Sequence, residues 1–186
     1  MLQNNFAYKI GATQVLFLQH VIDSLKAGGR CGIVLDEGVL FRTNANAFVQ
    51  TKRKLLDDCN VYAIISLPGG VFSAAGADVK TNILLFEKGK RTESIWYYDL
   101  SDIKVGKRTP FTIDKFDEFF QLLPDCADSE RSWTINRQTI EDNGFNIKAV
   151  NPNRKVEQDT RTPAELIALI EEKQTEIMSA LAELKK

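Results

Sequence analysis

Apolar positions in the first hundred residues follow two alternating patterns. Helical spacing extends over residues 13–27 and roughly over 45–58, and each stretch is followed by a short continuous apolar run, at 31–36 and at 61–68. Short runs without polar interruption are typical of strands buried on both faces. This order of helix, strand, helix and strand predicts an α/β unit with parallel neighbouring strands.

The first helix has a defined start, stripe and end in the sequence. Thr13 is predicted to cap its N-terminus, and Gly28-Gly29 is predicted to end it. Its predicted apolar stripe comprises Leu16, Phe17, Val21, Ile22 and Leu25.

The glycine-rich stretch 69–79 interrupts this rhythm. It has no helical periodicity, and a third apolar run follows at 82–88. A parallel return needs a crossover of a dozen or more residues, usually a helix, so we expect the third strand to run antiparallel to the second. A further strand is expected over 94–100. An α/β sheet that closes with an antiparallel strand is typical of class I methyltransferases, although mixed sheets are common elsewhere.

Beyond residue 100 the apolar runs shorten and prolines become frequent. We therefore divide the chain into an α/β core over 1–100, an irregular α/β extension with little core of its own over 101–160, and a C-terminal helix over 161–186. Within the extension, 111–123 predicts an amphipathic helix whose buried side chains are Phe116, Phe119, Phe120 and Leu123.

The C-terminal helix has the clearest signature. Thr162, Pro163 and Glu165 match a capping box with proline at the first helical position. Apolar residues then recur every three or four positions, or at multiples of that spacing, at Leu166, Ile170, Ile177, Leu181 and Leu184. A stripe of this length needs a partner, which is either the chain's own core or another subunit.

Composition and charge exclude several classes of protein. The 186 residues carry a net charge of −1, which argues against a wholly basic, DNA-coating surface. The three cysteines form no Cys-x-x-Cys pair and His20 is the single histidine, so neither a zinc site nor a disulfide framework is expected. No apolar run approaches the ~20 residues of a membrane span, and no secretion signal is evident. We expect a cytoplasmic protein.

Three places in the sequence contain residues that could take part in binding or catalysis. Gly28, Gly29 and Gly32 precede a strand and form no nucleotide-binding motif. Asp36-Glu37, at the end of the first strand, form either a paired-carboxylate site or a pair of solvated loop acids. Phe72, in the glycine-rich loop after the second strand, either stacks on a planar ligand or folds back over the sheet, with Lys80, Thr81 and Asn82 on the return path.

Several separated segments, in this order, resemble the modification subunit of type I restriction–modification systems, an N6-adenine DNA methyltransferase. The segments are FLQHVIDSLKAGGRCGIVLDEGVLFR, TKRKLLDDCNVYAIISLPGGVF, VKTNILLFEKG and IWYYDL, followed by ADSERSW and AVNPNRK. The resemblance covers nearly the whole chain. It implies the C-terminal half of a class I (Rossmann-like) methyltransferase sheet that ends in an antiparallel strand, followed by a mixed extension and a long C-terminal helix.

The resemblance also implies roles for particular residues. Phe17 corresponds to a contact with the adenine ring of S-adenosylmethionine, and the Pro68–Phe72 loop to the segment that holds the flipped target base, with Phe72 stacking and Lys80 and Asn82 beside it. Family members often have two prolines where only Pro68 stands here. The implied partners are a DNA-specificity subunit docked on residues 162–185, double-stranded DNA with a flipped adenine, and a restriction subunit in the larger assembly.

Two family motifs do not occur in the sequence: the glycine-rich S-adenosylmethionine loop and the Asn-Pro-Pro-Phe/Tyr motif. Asn4-Asn5-Phe6 lacks both prolines and is interpreted as linker. We therefore expect a C-terminal part of the enzyme, with no catalytic residue of its own, no tight binding of S-adenosylmethionine and no activity in isolation. The strand at 31–36 is expected to have an apolar edge that pairs with a second copy, is covered by the N-terminal segment, or promotes aggregation. The alternatives are a non-catalytic module that docks on a specificity subunit, and an unrelated α/β enzyme that uses Asp36-Glu37.

Overall fold

A computed structural model describes residues 6–77, 79–106, 108–154 and 161–184. Among these residues a five-stranded mixed sheet has the strand order β1-β3-β2-β4-β5. The strands are β1 Arg30–Asp36, β2 Cys59–Ser66, β3 Thr81–Lys88, β4 Ser94–Asp99 and β5 Ser132–Asn136. The α-helices are α1 Thr13–Ser24, α2 Glu37–Phe41, α3 Asn46–Asp58, α4 Asp117–Leu122, α5 Arg137–Asp142 and α6 Pro163–Leu184.

The position of β3 confirms one prediction and overturns another. β3 runs antiparallel to β2, as the short connection requires, but it also pairs antiparallel with β1 along its other edge. The prediction that β1 and β2 are parallel neighbours is therefore wrong, because β3 lies between them. β4 pairs parallel with β2 on the opposite side, and β5 pairs antiparallel with β4.

Helix α1 differs from its predicted form in two ways. Its N-cap is Ala12 with no side-chain hydrogen bond, so Thr13 lies in the first turn and does not cap the helix. Phe17 is 55% exposed and is therefore not part of a buried stripe. The buried face of α1 consists of Val15, Leu16, Leu18, Gln19 and Ile22. Packing against the sheet, rather than apolar spacing alone, selects which face is buried.

Residues 101–154 pack on the same sheet as the first hundred. Strand β5 places Trp133 against Tyr97, with ring centroids 5.4 Å apart and the planes 11° from parallel. The Tyr97 hydroxyl donates a hydrogen bond to the carbonyl of Ile147, at 3.1 Å. The sequence changes character near residue 100, but the compact unit extends from Met1 to Arg154 across that point.

The amphipathic segment predicted over 111–123 forms a 3-10 turn, Ile113–Phe116, followed by α4. Phe119 is buried against Trp96 and Tyr98. Phe120 is 53% exposed, so its predicted burial is wrong. Consecutive helical residues point about 100° apart, and a helix of this length has only one face against the sheet.

Residues Lys155–Lys186 cluster as a second unit, in which α6 is the described element. The predicted capping box is confirmed, because the Thr162 amide donates to Glu165 Oε2 at 2.6 Å and the Glu165 amide donates to Thr162 Oγ1 at 3.3 Å. The apolar side chains Ile170, Ile177 and Leu184 are exposed on α6.

Strand β1 ends the described sheet. It pairs with β3, and no second strand pairs with it among the residues that the structure covers. Val34, in the middle of β1, is 47% exposed. The three expected outcomes for this edge, which are pairing with a second copy, cover by the N-terminal segment and aggregation, stay predictions.

Lys52 on α3 is a buried cation, 1% exposed. Its ammonium donates to the carbonyls of Leu40 and Arg42, each at 2.8 Å, and so holds the end of α2 against α3. Among the described residues no carboxylate forms an ion pair with it within 4.0 Å, and burial lowers the pKa of Lys52 from 10.5 to about 8.

The lowered pKa of Lys52 predicts a pH-dependent stability. Between pH 8 and pH 10.5 the unfolded chain keeps a proton that the folded chain has released, so the contribution of Lys52 makes the free energy of unfolding rise with pH. The full rise is about 3 kcal/mol, at 1.36 kcal/mol per pKa unit. It should disappear in Lys52→Met, as measured by denaturant unfolding across this range. Burial raises the pKa of Cys59 to about 11, which opposes the trend in both proteins, so the difference between them is the quantity to compare. Identical pH slopes would contradict this role for Lys52.

Candidate functional site

The carboxyl ends of the parallel strands form one edge of the sheet, where α/β proteins bind ligands. Asp36 ends β1, Ser66 ends β2 and Asp99 ends β4. Two hollows lie at this edge, one mainly apolar and one polar.

The loop from Leu67 to Lys80 connects β2 to β3 at this edge. Its base is closed by the Leu67 amide, which donates to the carbonyl of Thr81 at 3.0 Å. Gly70 has a φ of 82° and Gly76 a φ of 77°, a left-handed conformation that favours glycine. These two glycines let the chain turn on either side of Phe72.

Phe72 is half-buried at the start of the 3-10 turn Ser73–Ala75. Its carbonyl accepts hydrogen bonds from the amides of Ala75 and Ala77. The neighbouring Val71 packs against the buried cluster that contains Trp96 and Tyr98, whereas Phe72 belongs to neither buried cluster of the described chain. Val71 therefore covers the sheet at this point, and Phe72 is only partly buried.

The first hollow, which we term the apolar hollow, has a volume of about 420 Å³. Its apolar wall consists of Phe17 from α1, Val34 from β1 and Val79 from the loop before β3. Asp36 and Thr81 add polar groups at the carboxyl end of β1. A flat apolar ring with a polar edge fits such a surface.

The second hollow, which we term the polar hollow, has a volume of about 180 Å³. It is lined by Glu37, Ser66, Leu67, Lys80, Thr81, Asp99, Ser101, Lys148, Ala149, Val150, Asn151 and Arg154. Thr81 lines both hollows, so the two are adjacent.

A hydrogen-bonded chain runs from the polar hollow into the sheet. The Lys148 ammonium lies 2.5 Å from Glu37 Oε1 and 3.4 Å from Ser66 Oγ. Ser66 Oγ in turn donates to Asn82 Oδ1 at 3.0 Å. Asn82 is 1% exposed, and its Nδ2 has no hydrogen-bond partner among the described residues.

The candidate residues from the sequence reach this edge in different ways. Phe17 lies in the apolar hollow, and Lys80 is exposed at the rim of the polar hollow. Asn82 is buried beneath the polar hollow and bonds to Ser66, so it does not present its side chain openly to a ligand. Phe72 lies in the loop that connects β2 to β3.

The two acids at the end of β1 have separate structural partners. Asp36 Oδ1 accepts the amide of Val39 at 2.9 Å and so caps α2, while Glu37 pairs with Lys148. His20 is exposed on α1. The structure therefore gives Asp36 and Glu37 different tasks and offers little support for a paired-carboxylate site.

Sequence reasoning missed Ser66, Asp99, Lys148 and Arg154. Lys148 follows the buried Ile147 but lies 82 residues from Ser66 in the chain, and spacing does not indicate such a contact. The strand ends Ser66 and Asp99 had a usable signal, because polar residues that directly follow a buried strand mark the ligand edge of an α/β sheet.

A second ion pair stands beside the polar hollow. Arg131 contacts both carboxylate oxygens of Asp102, at 2.6 and 2.9 Å, and also donates to the carbonyl of Asp99 at 3.0 Å. The hydrogen bond from Arg131 holds the pKa of Asp102 below its ordinary value. In the part of the chain that the structure describes, no group of three or more His, Cys, Asp or Glu side chains is placed to hold a metal, and no helix is long and apolar enough to cross a membrane.

A mixed sheet with an antiparallel strand between two parallel ones, and with ligand hollows at the carboxyl edge, defines the fold as that of the class I methyltransferases. The chain belongs to the N-6 DNA methylase family, whose sequence model matches residues 3–162.

Curated relatives agree with this family. The chain is 33% identical over 152 residues to the type I restriction enzyme EcoKI methylase subunit of Escherichia coli K12, covering 73% of this chain and 28% of that protein. It is 31% identical over 176 residues to the EcoEI methylase subunit of Escherichia coli, covering 89% of this chain and 35% of that protein. The chain thus spans about a third or less of the length of these relatives.

Solved structures share the fold. A chain from a study of complex assembly and conformational transition of the type I R-M system matches with a TM-score of 0.77 and 37% identity, covering 99% of this chain and 41% of that chain. The modification subunit of a type I restriction enzyme from Vibrio vulnificus matches with a TM-score of 0.74 and 27% identity, covering 82% of this chain and 35% of that chain.

The buried bond from Ser66 to Asn82 predicts a measurable loss of stability. In Ser66→Ala the Asn82 Oδ1 loses its partner, and an unpaired buried acceptor costs about 1–3 kcal/mol of the free energy of unfolding. Thr51→Val is the matched control, because Thr51 Oγ1 is buried and already has no hydrogen-bond partner in the described part of the chain. Denaturant unfolding should show the loss for the first variant and no loss for the second. Equal stability of Ser66→Ala and the parent would contradict the bond.

Proposed function

We propose that this chain supplies the target-base side of a site-specific adenine-N6 DNA methyltransferase in a type I restriction–modification complex of the bacterial cytoplasm. The observation that carries the proposal is the adjacency, at one sheet edge, of an apolar hollow walled by Phe17 and the loop that carries Phe72. The family match and the type I relatives support the same reaction class.

The proposed task of Phe72 follows from the chemistry of base methylation. The amino nitrogen of a paired adenine is out of reach within the duplex, so the base must leave the stack. Stacking of the extruded base on an accessible aromatic face offsets part of that cost, by about 1–3 kcal/mol per base. The positive-φ glycines on either side of Phe72 allow the ring to be placed beside the sheet edge.

Phe17 is the proposed contact for the adenine ring of S-adenosylmethionine, the cofactor that supplies the methyl group in this class of reaction. The apolar wall of Phe17, Val34 and Val79, with the carboxylate of Asp36 beside it, fits a purine ring. The fit extends only to the ring, since the family's glycine-rich S-adenosylmethionine loop, which would hold the rest of the molecule, does not occur in the sequence. Tight binding of the cofactor and methyl transfer by residues 1–186 alone are therefore not expected.

The second proposed task belongs to α6. Its exposed stripe includes Ile170, Ile177 and Leu181 on a helix about 33 Å long, at 1.5 Å per residue. We assign this stripe to docking on a DNA-specificity subunit, within an assembly that also holds the restriction subunit. The same stripe favours the alternative in which the chain is a non-catalytic docking module, and activity of the assembled complex distinguishes the two.

Substitution of Phe72 tests the base contact. A short single-stranded oligonucleotide with 2-aminopurine in place of adenine should be quenched on binding to the parent chain, because the base stacks on Phe72. Phe72→Ala should weaken that binding by about 1–3 kcal/mol and remove the quenching. Phe120→Ala is the control, since Phe120 is exposed on α4 and lines neither hollow. Equal quenching by the parent and by Phe72→Ala would refute the assignment.

Substitution of the stripe tests docking. Replacing Ile170, Ile177 and Leu181 together by Asp should abolish co-purification with a co-expressed type I DNA-specificity subunit, because charged groups replace the apolar contact. The matched control places Asp at Ala168, Thr175 and Ser179, on the opposite face of α6. Thermal unfolding of residues 6–154 should be unchanged in both variants. Retained co-purification of the first variant, or its loss in both, would argue against docking through this stripe.

A further inference from the structure

We propose that the polar hollow is a phosphate site, which holds a phosphodiester group of a nucleic-acid strand beside the base-binding loop. This inference rests on the proposed function and adds a backbone contact to the base contact. The proposed ligand is a compact anion whose oxygens act only as hydrogen-bond acceptors and which is bound by two cationic side chains.

Three cations and two carboxylates line the hollow, and they are not equally engaged. Lys148 is neutralised by Glu37 at 2.5 Å. Asp99 Oδ1 accepts the amide of Ser101 at 2.9 Å. Lys80 and Arg154 line the same space of about 180 Å³ and form no ion pair within 4.0 Å among the described residues, although the charge of Arg154 helps to lower the pKa of Asp102.

A buried hydroxyl without a partner borders the hollow. Thr81 Oγ1 is buried, has no hydrogen-bond partner among the described residues and belongs to a residue that lines the hollow. Buried polar groups usually find partners, and a ligand rich in acceptor oxygens would supply one to this hydroxyl.

The backbone of Lys80 is held in place by the fold. Its carbonyl accepts the amide of Glu37 at 2.9 Å, which ties the end of the base-binding loop to the start of α2. Leu67, at the beginning of that loop, lines the same hollow. A nucleotide whose base is held by the loop would therefore have its backbone beside the hollow.

A separate, arginine-rich groove provides a comparison, because the cations in it are paired within the protein. It is lined by Arg53, Arg91 and Arg137 together with Asp57, Glu141 and Phe145. Arg137 pairs with Asp57 and Glu141, each at 2.6 Å, Arg91 lies 3.6 Å from Glu141, and Arg53 sits over the Phe145 ring. Its cations are engaged by the protein itself, whereas Lys80 and Arg154 form no ion pair within 4.0 Å in the part of the chain that the structure describes.

The test is the salt dependence of oligonucleotide binding to the full chain. A fluorescein-labelled single strand is titrated against the parent, Lys80→Gln, Arg154→Gln and the control Lys26→Gln. Lys26 is equally exposed but lies beyond the end of α1, near the amino end of β1. For each variant at the hollow, the slope of log K against log salt should fall by about 0.7, the value for one lost phosphate contact on a single strand. Affinity at low salt should fall about tenfold, while the control keeps the parent slope.

Two outcomes would overturn the proposal. Equal slopes in all four proteins would mean that the hollow holds no phosphate of the strand. If inorganic phosphate alone raises the thermal midpoint of the parent but not of Arg154→Gln, while the oligonucleotide slopes stay equal, the site takes free phosphate and the nucleic-acid assignment is wrong.

Failure of this site and failure of the proposed base contact have different signatures. Loss of 2-aminopurine quenching in Phe72→Ala reports on the base, whereas the salt slope of Lys80→Gln and Arg154→Gln reports on the backbone. Unequal slopes with quenching that does not depend on Phe72 would keep the phosphate site and reject the base contact. The reverse result would keep the base contact and reject the phosphate site.

Discussion

The insertion of β3 between β1 and β2 is the constraint on which the rest of the structure depends. β3 pairs antiparallel with both neighbours, so residues at its start face the carboxyl ends of both. Asn82 is in register with Leu35 on one side and with Ser66 on the other. One short strand therefore brings together the ends of two parallel strands that are distant in sequence, and the sheet edge becomes a single site.

The second contribution to this edge comes from the segment near the end of the compact unit. Ile147 is fully buried, and its amide donates to the carbonyl of Leu40 at 3.2 Å. With that backbone anchored, the next side chain, Lys148, reaches Glu37 and Ser66. Packing of an apolar residue thus positions a charged one, and residues 101–154 serve the site as well as the fold.

The charge pattern of the chain agrees with a divided function. The net charge of −1 precludes a uniformly basic surface, yet Lys80 and Arg154 concentrate positive charge at one hollow. This local positive charge agrees with the proposed contact to a nucleic-acid backbone, and in the proposed complex a partner subunit would read the DNA sequence. The exposed apolar stripe of α6 is consistent with that partner.

Local patterns in the sequence determined the elements themselves: the apolar runs of the strands, the antiparallel sense of β3, and the capping box of α6 at Thr162 and Glu165. These depend on neighbours within a few residues, which is why periodicity and spacing predict them. Only the tertiary structure decided the neighbours of β1, the exposure of Phe17 and Phe120, and the contact of Lys148 with Ser66. Strand order and burial depend on which surfaces meet, and contacts across 82 residues leave no trace in local spacing.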